Sequence, residues 1–197
     1  MFLDFNKSMG DKKKINSAKQ KLSERILLHL ADCVDFGFAY RVKKGLGISG
    51  AGIRSLIKTN EKYFKDSITD LKKFKFIEKK INYNGSVIIS LTERGKLRAL
   101  NIRFRRLNNK RERWDEKWRM VAFDIPDEYK KGRDALYYRM KIGGFYELQE
   151  SLFLYPYDCA KEIKDFIELF KLENYVRFAL LDYIDNQNHV RSFFRLS

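Results

Sequence analysis

The stretch EKYFKDSITDLKKFKFIEKKINYNGSVIISLTERG, residues 61–95, decides the fold of the amino-terminal half because its periodicity changes partway along. Its first part has apolar residues every three or four positions, which predicts an amphipathic helix over residues 61–73. After Lys75 apolar and polar residues alternate, which predicts two strands. Asn84-Gly85 stands between these strands and is a strong signal for a tight hairpin turn.

Helices are also predicted on both sides of this stretch. One begins at Ser17, a short one covers residues 51–58, and another runs over residues 93–113. Three helices followed by a two-stranded hairpin and a further helix is the order of a winged helix-turn-helix domain, here residues 17–92. In such a domain one helix enters the major groove of DNA, and the hairpin lies alongside it.

The helix over residues 61–73 is the predicted recognition helix. Its lysines would contact phosphates, and Ser67 and Thr69 are the short polar side chains best placed to read base edges. Tyr83 and Asn84 at the hairpin turn would also contact DNA. Arginines of the next helix could follow the DNA backbone, but that helix could equally be a solvated linker. The predicted DNA-contacting residues are Lys62, Lys65, Ser67, Thr69, Lys72, Lys73, Tyr83, Asn84, Arg103, Arg105 and Arg106.

The distribution of charge points to double-stranded DNA as the partner of the amino-terminal half. Residues 1–111 hold 27 lysines and arginines against 10 acidic residues, whereas residues 112–197 hold 14 against 16. A surface that is only solvated needs no such asymmetry, so the imbalance favours DNA binding over an ordinary amphipathic helix with solvated lysines. Residues 1–16 are polar and lack periodicity, which predicts a basic flexible tail.

The carboxyl-terminal half, residues 114–197, is predicted to form a second domain, joined to the first by the basic linker helix of residues 93–113. Its order is strand, helix, strand, strand, helix, strand, which is the ferredoxin-like βαββαβ pattern. The chain is therefore predicted to be an α+β protein with two domains. The predicted strands cover residues 119–125, 145–148, 152–155, 175–184 and 190–196, and the helices cover residues 127–142 and the stretch that follows Pro156.

Composition excludes several other classes of protein. Hydrophobic residues make up 44% and charged residues 34% of the chain, which is typical of a globular protein. No apolar run reaches the roughly 20 residues that span a bilayer, and the first residues do not resemble a signal peptide, so a cytoplasmic protein without a membrane partner is expected. Cys33 and Cys159 match no metal or redox spacing and are expected to be reduced thiols.

Several motifs of the carboxyl-terminal half resemble the phenylacetate-operon repressor (PaaX) family. The resemblance covers about residues 20–197 and is strongest over residues 114–156. It implies a winged-helix transcriptional repressor with a ferredoxin-like second domain, acting as a homodimer; the effector is unknown. The motifs are Trp114-Asp115-x-x-Trp118-Arg119-x-Val121-x-Phe123-Asp124-Ile125-Pro126, Arg133, Gly144-Phe145, Leu148-Gln149-x-Ser151 and Tyr155-Pro156, with Leu91-Thr92-x-x-Gly95 resembling the exit from the wing.

The second domain is also similar to the small CRISPR-associated endonuclease of spacer acquisition. In that enzyme an aspartate at the end of the first strand, paired across a dimer, holds a divalent metal, and Asp124 occupies the matching position. This similarity implies an alternative function, a nuclease that depends on Mg²⁺ or Mn²⁺. The preferred interpretation has no cofactor, because capping of the following helix by Asp124 and Asp127 would explain both residues without chemistry.

Overall fold

The computed structural model of the protein describes residues 20–32, 61–81, 83, 87–110 and 112–196. The chain divides into two compact units, Met1–Ala99 and Leu100–Ser197. The boundary falls inside the stretch predicted to be a linker helix, residues 93–113. Within the described ranges, no helix is long and apolar enough to cross a membrane.

The first unit contains the predicted helix and hairpin. Residues 20–32 are helical and are called α1. They are followed by α2 (Glu61–Lys73), β1 (Ile77–Ile81), β2 (Val87–Leu91) and the beginning of α3 (Glu93–Asn108). Apolar side chains from α1, α2 and both strands are buried, among them Leu22, Ile26, Leu27, Leu30, Leu71, Ile77 and Leu91.

The winged helix-turn-helix domain as a whole stays a prediction. Residues 33–60, which include the short helix predicted over residues 51–58, lie outside the described residues. The same holds for Cys33 and for the tail of residues 1–16. The described part therefore supplies one helix before this gap, and a helix and a hairpin after it.

The hairpin is buried at its base, and the described residues farther along β1 are exposed. Its strands are antiparallel, with Ile77 opposite Leu91 and Ile81 opposite Val87. Ile77 and Leu91 are buried, whereas the other four residues of β1 are exposed. At about 3.3 Å per residue, Ile81 lies roughly 13 Å along the strand from Ile77, so the hairpin extends beyond the core that holds its base.

The second unit has the predicted βαββαβ order. Its strands form one antiparallel sheet in the order β4-β5-β3-β6, which is compatible with a ferredoxin-like domain. A short 3-10 helix, Asp127–Tyr129, precedes the first of its helices. The elements are β3 (Trp118–Phe123), α4 (Lys130–Ile142), β4 (Tyr146–Gln149), β5 (Leu152–Tyr155), α5 (Ala160–Phe170), β6 (Val176–Leu181) and α6 (Gln187–Phe194).

Helices α4 and α5 share one hydrophobic core with one face of this sheet. The second half of α3 also contributes to that core through Leu100, Phe104 and Leu107. Cys159 lies within it as a free, buried thiol, and burial raises the pKa of this thiol well above its usual range. The core residues from the helices and strands include Val121, Phe123, Leu136, Met140, Phe153, Ile163, Phe166 and Val176.

The prediction of a final strand over residues 190–196 is wrong, because this segment belongs to helix α6. Val190, Phe193 and Phe194 stand at the i, i+3 and i+4 positions of one helical face. Val190 is fully buried in a second hydrophobic cluster with Trp118 and Leu154. Since neighbouring side chains of a strand alternate between faces, Trp118 and Leu154 point away from the main core, and α6 covers part of the sheet's other face.

The Trp114–Arg119 motif fixes the entry of the chain into β3. The Arg119 guanidinium is buried and forms a two-point ion pair with the Asp115 carboxylate, with Nη1–Oδ1 and Nη2–Oδ2 distances of 2.5 and 2.7 Å. It also donates to the carbonyl of Pro156 at 2.9 Å. The rings of Trp114 and Trp118 lie 4.8 Å apart. These contacts explain why Trp, Asp and Arg occur together in this motif.

Candidate nucleic-acid interface

Helix α2 presents one exposed stripe that is made almost entirely of lysines. At about 100° per residue, the five positions of this stripe fall within an arc of about 100°. Asp66 and Asp70 lie on one flank of the arc and are partly buried. The basic stripe, as it is called below, consists of Lys62, Lys65, Thr69, Lys72 and Lys73, all exposed.

Ser67 does not belong to this surface, and the prediction that it faces DNA is wrong. Its side chain has an exposed fraction of 0% and lies on the side of α2 opposite to the basic stripe. Among the residues that the structure describes, its hydroxyl has no hydrogen-bond partner. The sequence pattern of α2 does not decide whether Ser67 is exposed or buried, because a serine is small enough to be packed inside a core.

Thr69 lies at the centre of the basic stripe. Its hydroxyl donates a hydrogen bond to the carbonyl of Lys65 at 2.9 Å. The hydroxyl proton is therefore occupied, and the oxygen lone pairs and the methyl group remain for an outside contact. A side chain of this kind can accept a hydrogen bond from a base amino group and can contact a thymine methyl group.

A network of backbone contacts joins the end of α2 to the hairpin and to α3. Lys75 adopts a left-handed conformation (φ 58°) and its carbonyl accepts a hydrogen bond from the Thr92 hydroxyl at 2.6 Å. The amide of Gly95 donates to the same hydroxyl at 3.0 Å, so Thr92 caps α3. A Cβ atom at Gly95 would lie 1.9 Å from the Phe76 carbonyl oxygen. The Leu91-Thr92-x-x-Gly95 motif thus needs both its threonine and its glycine.

The hairpin adds exposed lysines that the sequence analysis did not include. Lys79 and Lys80 are both exposed and point to opposite faces of β1. Tyr83, which was predicted to contact DNA, is fully exposed. Asn84 lies outside the described residues. The doublet Lys79-Lys80 breaks the alternation of β1, and this break was the available sign that the strand leaves the core.

Of the three arginines predicted in α3, only two have exposed side chains. Arg105 and Arg106 are exposed near the end of the helix. Arg103 is buried and forms an ion pair with Asp165 of α5, so the prediction that it contacts DNA is wrong. Its partner is distant in the sequence, and no local pattern could have indicated this pair.

Asp124 follows β3 and does not cap a helix. Its backbone amide donates to the carbonyl of Tyr175, and its side chain is exposed. The helix after it begins beyond Pro126 without any side-chain cap, and the Asp127 carboxylate instead accepts from Arg133 at 2.8 Å. The prediction that Asp124 and Asp127 cap the helix is therefore wrong, although Asp127 does lie in the first turn of the 3-10 helix, where its charge complements the helix dipole.

The residues around Asp124 do not form a complete metal site in one chain. The Asp127 carboxylate is held by Arg133, and the Asp124 carboxylate lines a shallow pocket together with Glu150. Elsewhere in the described ranges, no group of three or more His, Cys, Asp or Glu side chains is placed to hold a metal ion. A hard divalent cation takes at least six oxygen ligands, several of them from the protein or from water.

Residues 111–192 match the family model described as the PaaX protein central Cas2-like domain. This confirms the resemblance of the carboxyl-terminal half to the PaaX type, with a Cas2-like domain. No curated protein matches the chain.

Proposed function

We propose that the protein is a sequence-specific, DNA-binding transcriptional repressor that acts as a dimer. The observation that carries the proposal is the basic stripe on α2, where four lysines surround one threonine on a single exposed face. A helix fits the major groove of B-form DNA, and lysines at its edges can reach phosphates on both sides of the groove. The match of residues 111–192 to a PaaX-type domain supports a regulatory role.

Thr69 is the proposed base-reading residue because it lies between the lysines. Its hydroxyl proton is used within the helix, so it would accept a hydrogen bond from the amino group of adenine or cytosine, or contact a thymine methyl group. Lys62, Lys72 and Lys73 would bind phosphates without regard to sequence. Arg105 and Arg106 are exposed and would add further phosphate contacts.

The dimer is proposed to form through the carboxyl-terminal unit. Residues 112–197 are close to neutral, with 14 basic and 16 acidic residues, so two copies would approach without strong repulsion. A symmetric dimer would place two recognition helices on half-sites about 34–36 Å apart, or a multiple of that distance. Analytical ultracentrifugation should therefore show twice the mass of one chain; a monomer at micromolar concentration would contradict this part of the proposal.

Sequence specificity can be tested with fluorescence anisotropy in EDTA. The labelled probe is a duplex from the region upstream of the gene, and a scrambled duplex of the same composition is the competitor. We expect the native duplex to bind about a thousandfold more tightly than the scrambled one. Equal affinity for both would contradict sequence-specific recognition of that region.

Two substitutions at Thr69 separate its hydroxyl from its methyl group. Thr69→Val keeps the shape and loses the oxygen, and Thr69→Ser keeps the oxygen and loses the methyl group. If the oxygen reads a base, Thr69→Val should lower the preference for the native base at one position by about tenfold, and Thr69→Ser should keep it. The reverse result would assign the contact to a thymine methyl group, and no change in either variant would remove Thr69 from the interface.

A further inference from the structure

Two exposed apolar side chains of the hairpin, Ile81 and Tyr83, are called its apolar end below. Ile81, the last residue of β1, has an exposed fraction of 67%, and Tyr83 just beyond it is fully exposed. Ile81 lies on the same face of β1 as the buried Ile77, but four residues farther from the core. Neither side chain therefore gains stability from packing in the described part of the first unit.

Lysines stand directly beside this apolar end. Lys79 and Lys80 are exposed on the two faces of the same strand. Apolar side chains with two cations next to them in the same strand suit a partner with an anionic rim and an apolar interior. The DNA minor groove has this character, because phosphates line its edges and stacked bases lie within it. A duplex is favoured over other partners because the basic stripe of α2 precedes the hairpin in the chain and belongs to the same unit.

We propose that Ile81 and Tyr83 enter the minor groove and bend the duplex, with Ile81 inserted at a base step and Tyr83 packed beside it. Apolar side chains that enter between base steps unstack them partly and kink DNA by about 20–90°. Flexible pyrimidine–purine steps open at the lowest cost in free energy. Ile81 and Tyr83, called the wedge below, would therefore favour operators with such a step beside the major-groove site. This inference rests on the proposed function, because it requires a DNA-bound protein.

The test measures binding and bending together. The upstream duplex carries a donor and an acceptor dye at its two ends, so bending raises the energy transfer between them. The variant Ile81→Ser with Tyr83→Ser removes the apolar end and no charge. Its matched control is Tyr138→Ser with Tyr183→Ser, which changes two exposed tyrosines of the second unit, with exposed fractions of 51% and 66%.

We expect wild-type protein to bend the duplex by at least about 20°. The Ile81/Tyr83 variant should bind about tenfold more weakly and bend the duplex less, while the dependence of its affinity on salt stays the same. The control should match wild type. Thermal unfolding followed by circular dichroism should not change in either variant, because exposed positions contribute little to stability.

A second variant separates the wedge from the charges beside it. Lys79→Ala with Lys80→Ala should reduce the dependence of affinity on salt and leave the bend in place. If the Ile81/Tyr83 variant bends DNA as wild type does, the wedge is wrong. The wedge is also wrong if wild type binds the upstream duplex without bending it, and in that case the proposed function stands.

Three further outcomes would overturn the wedge in other ways. If wild type binds no duplex at all, both the wedge and the proposed function fall. If the Ile81/Tyr83 variant bends DNA normally but sediments as a monomer where wild type is a dimer, the hairpin end contacts protein. If it bends DNA normally but no longer binds anionic vesicles that wild type binds, the hairpin end contacts lipid.

Discussion

The two units of the molecule differ in how their positive charges are neutralised. In the second unit many cations are paired: Arg119 with Asp115, Arg103 with Asp165, and Lys141 with Glu147. In the described part of the first unit, Lys72, Lys73, Lys79 and Lys80 have no ion pair. Exposed cations also occur in the second unit, among them Lys130 and Lys131, so the units differ in overall charge balance and in the grouping of lysines on one face of α2 rather than in the mere presence of unpaired cations.

The same comparison shows two uses of a basic side chain. Arg119 is buried, held by a carboxylate and two carbonyls, and it stabilises the entry into β3. Lys72 and Lys73 are exposed at the end of α2 and add little to the fold beyond a favourable interaction with the helix dipole. Substitution of Arg119 should therefore lower the stability of the fold, whereas substitution of Lys72 or Lys73 should weaken DNA binding.

The largest expected effect on stability is that of Gly95→Ala. A methyl group there would meet the Phe76 carbonyl oxygen at 1.9 Å, and that backbone is held by a hydrogen bond from the Thr92 amide at 3.1 Å. We expect the first unit to lose about 3 kcal/mol of unfolding free energy. Urea unfolding followed by far-ultraviolet circular dichroism would measure this loss.

Gly132→Ala is the control for that substitution. Its nearest neighbour would be the side-chain atom Leu172 Cδ1 at 3.1 Å, which can shift, so a change below about 1 kcal/mol is expected. Both tryptophans of the chain, Trp114 and Trp118, belong to the second unit and report on it by fluorescence. A Gly95→Ala protein as stable as wild type would contradict the close approach of α3 to the turn after α2.

A smaller effect is expected for Thr92→Ala. The substitution removes the hydroxyl that caps α3 and bonds to Lys75, so the first unit should lose about 1–2 kcal/mol. The same urea titration measures it. Thr92→Ser keeps the hydroxyl and should recover most of the loss; if serine and alanine behave alike, the cap does not act as described.

The smallest of these effects depends on pH and concerns the second unit. The hydrogen bonds from Arg119 lower the pKa of Asp115 from 3.8 to about 2. A lowered folded-state pKa gives stability that is present above about pH 4 and is lost as the pH falls toward 2. Because Asp115 is half exposed, solvent screening limits the contribution to about 1 kcal/mol.

Comparison of wild type with Asp115→Asn tests this pH dependence. Tryptophan fluorescence in urea should show wild type to be the more stable protein at pH 7. The difference between the two proteins should shrink as the pH approaches 2. A difference that stays constant from pH 7 to pH 2 would mean that the Asp115 charge is not its cause.

Much of the fold could be predicted because the decisive signals are local. The change from helical to alternating periodicity after Lys75 predicted α2 and the hairpin, and Gly143 marked the end of α4. Strand β3 ends at Phe123, three residues before Pro126. The last segment was assigned as an additional strand, although the strand predicted over residues 175–184 already completes the ferredoxin-like pattern. Val176–Leu181 already supplies that strand, and the spacing of Val190, Phe193 and Phe194 fits the helix that forms.

The candidate site could be predicted only in part, because burial depends on residues that are distant in the sequence. The lysines of α2 follow from helical spacing, and the structure places them on one exposed face. Ser67 and Arg103 were misplaced, since one is enclosed by the core and the other is paired with Asp165. The neighbouring residues in the sequence indicate neither the burial of Ser67 nor the pairing of Arg103.

The most direct test of the central claim is the salt dependence of DNA affinity for two matched pairs of lysines. Lys72→Ala with Lys73→Ala removes two charges from the basic stripe, and Lys130→Ala with Lys131→Ala removes two exposed charges from the second unit. For the upstream duplex, the first variant should reduce the slope of log affinity against log salt by about 2, and the second should leave it unchanged. Equal slopes for both variants and wild type would contradict the placement of DNA on α2.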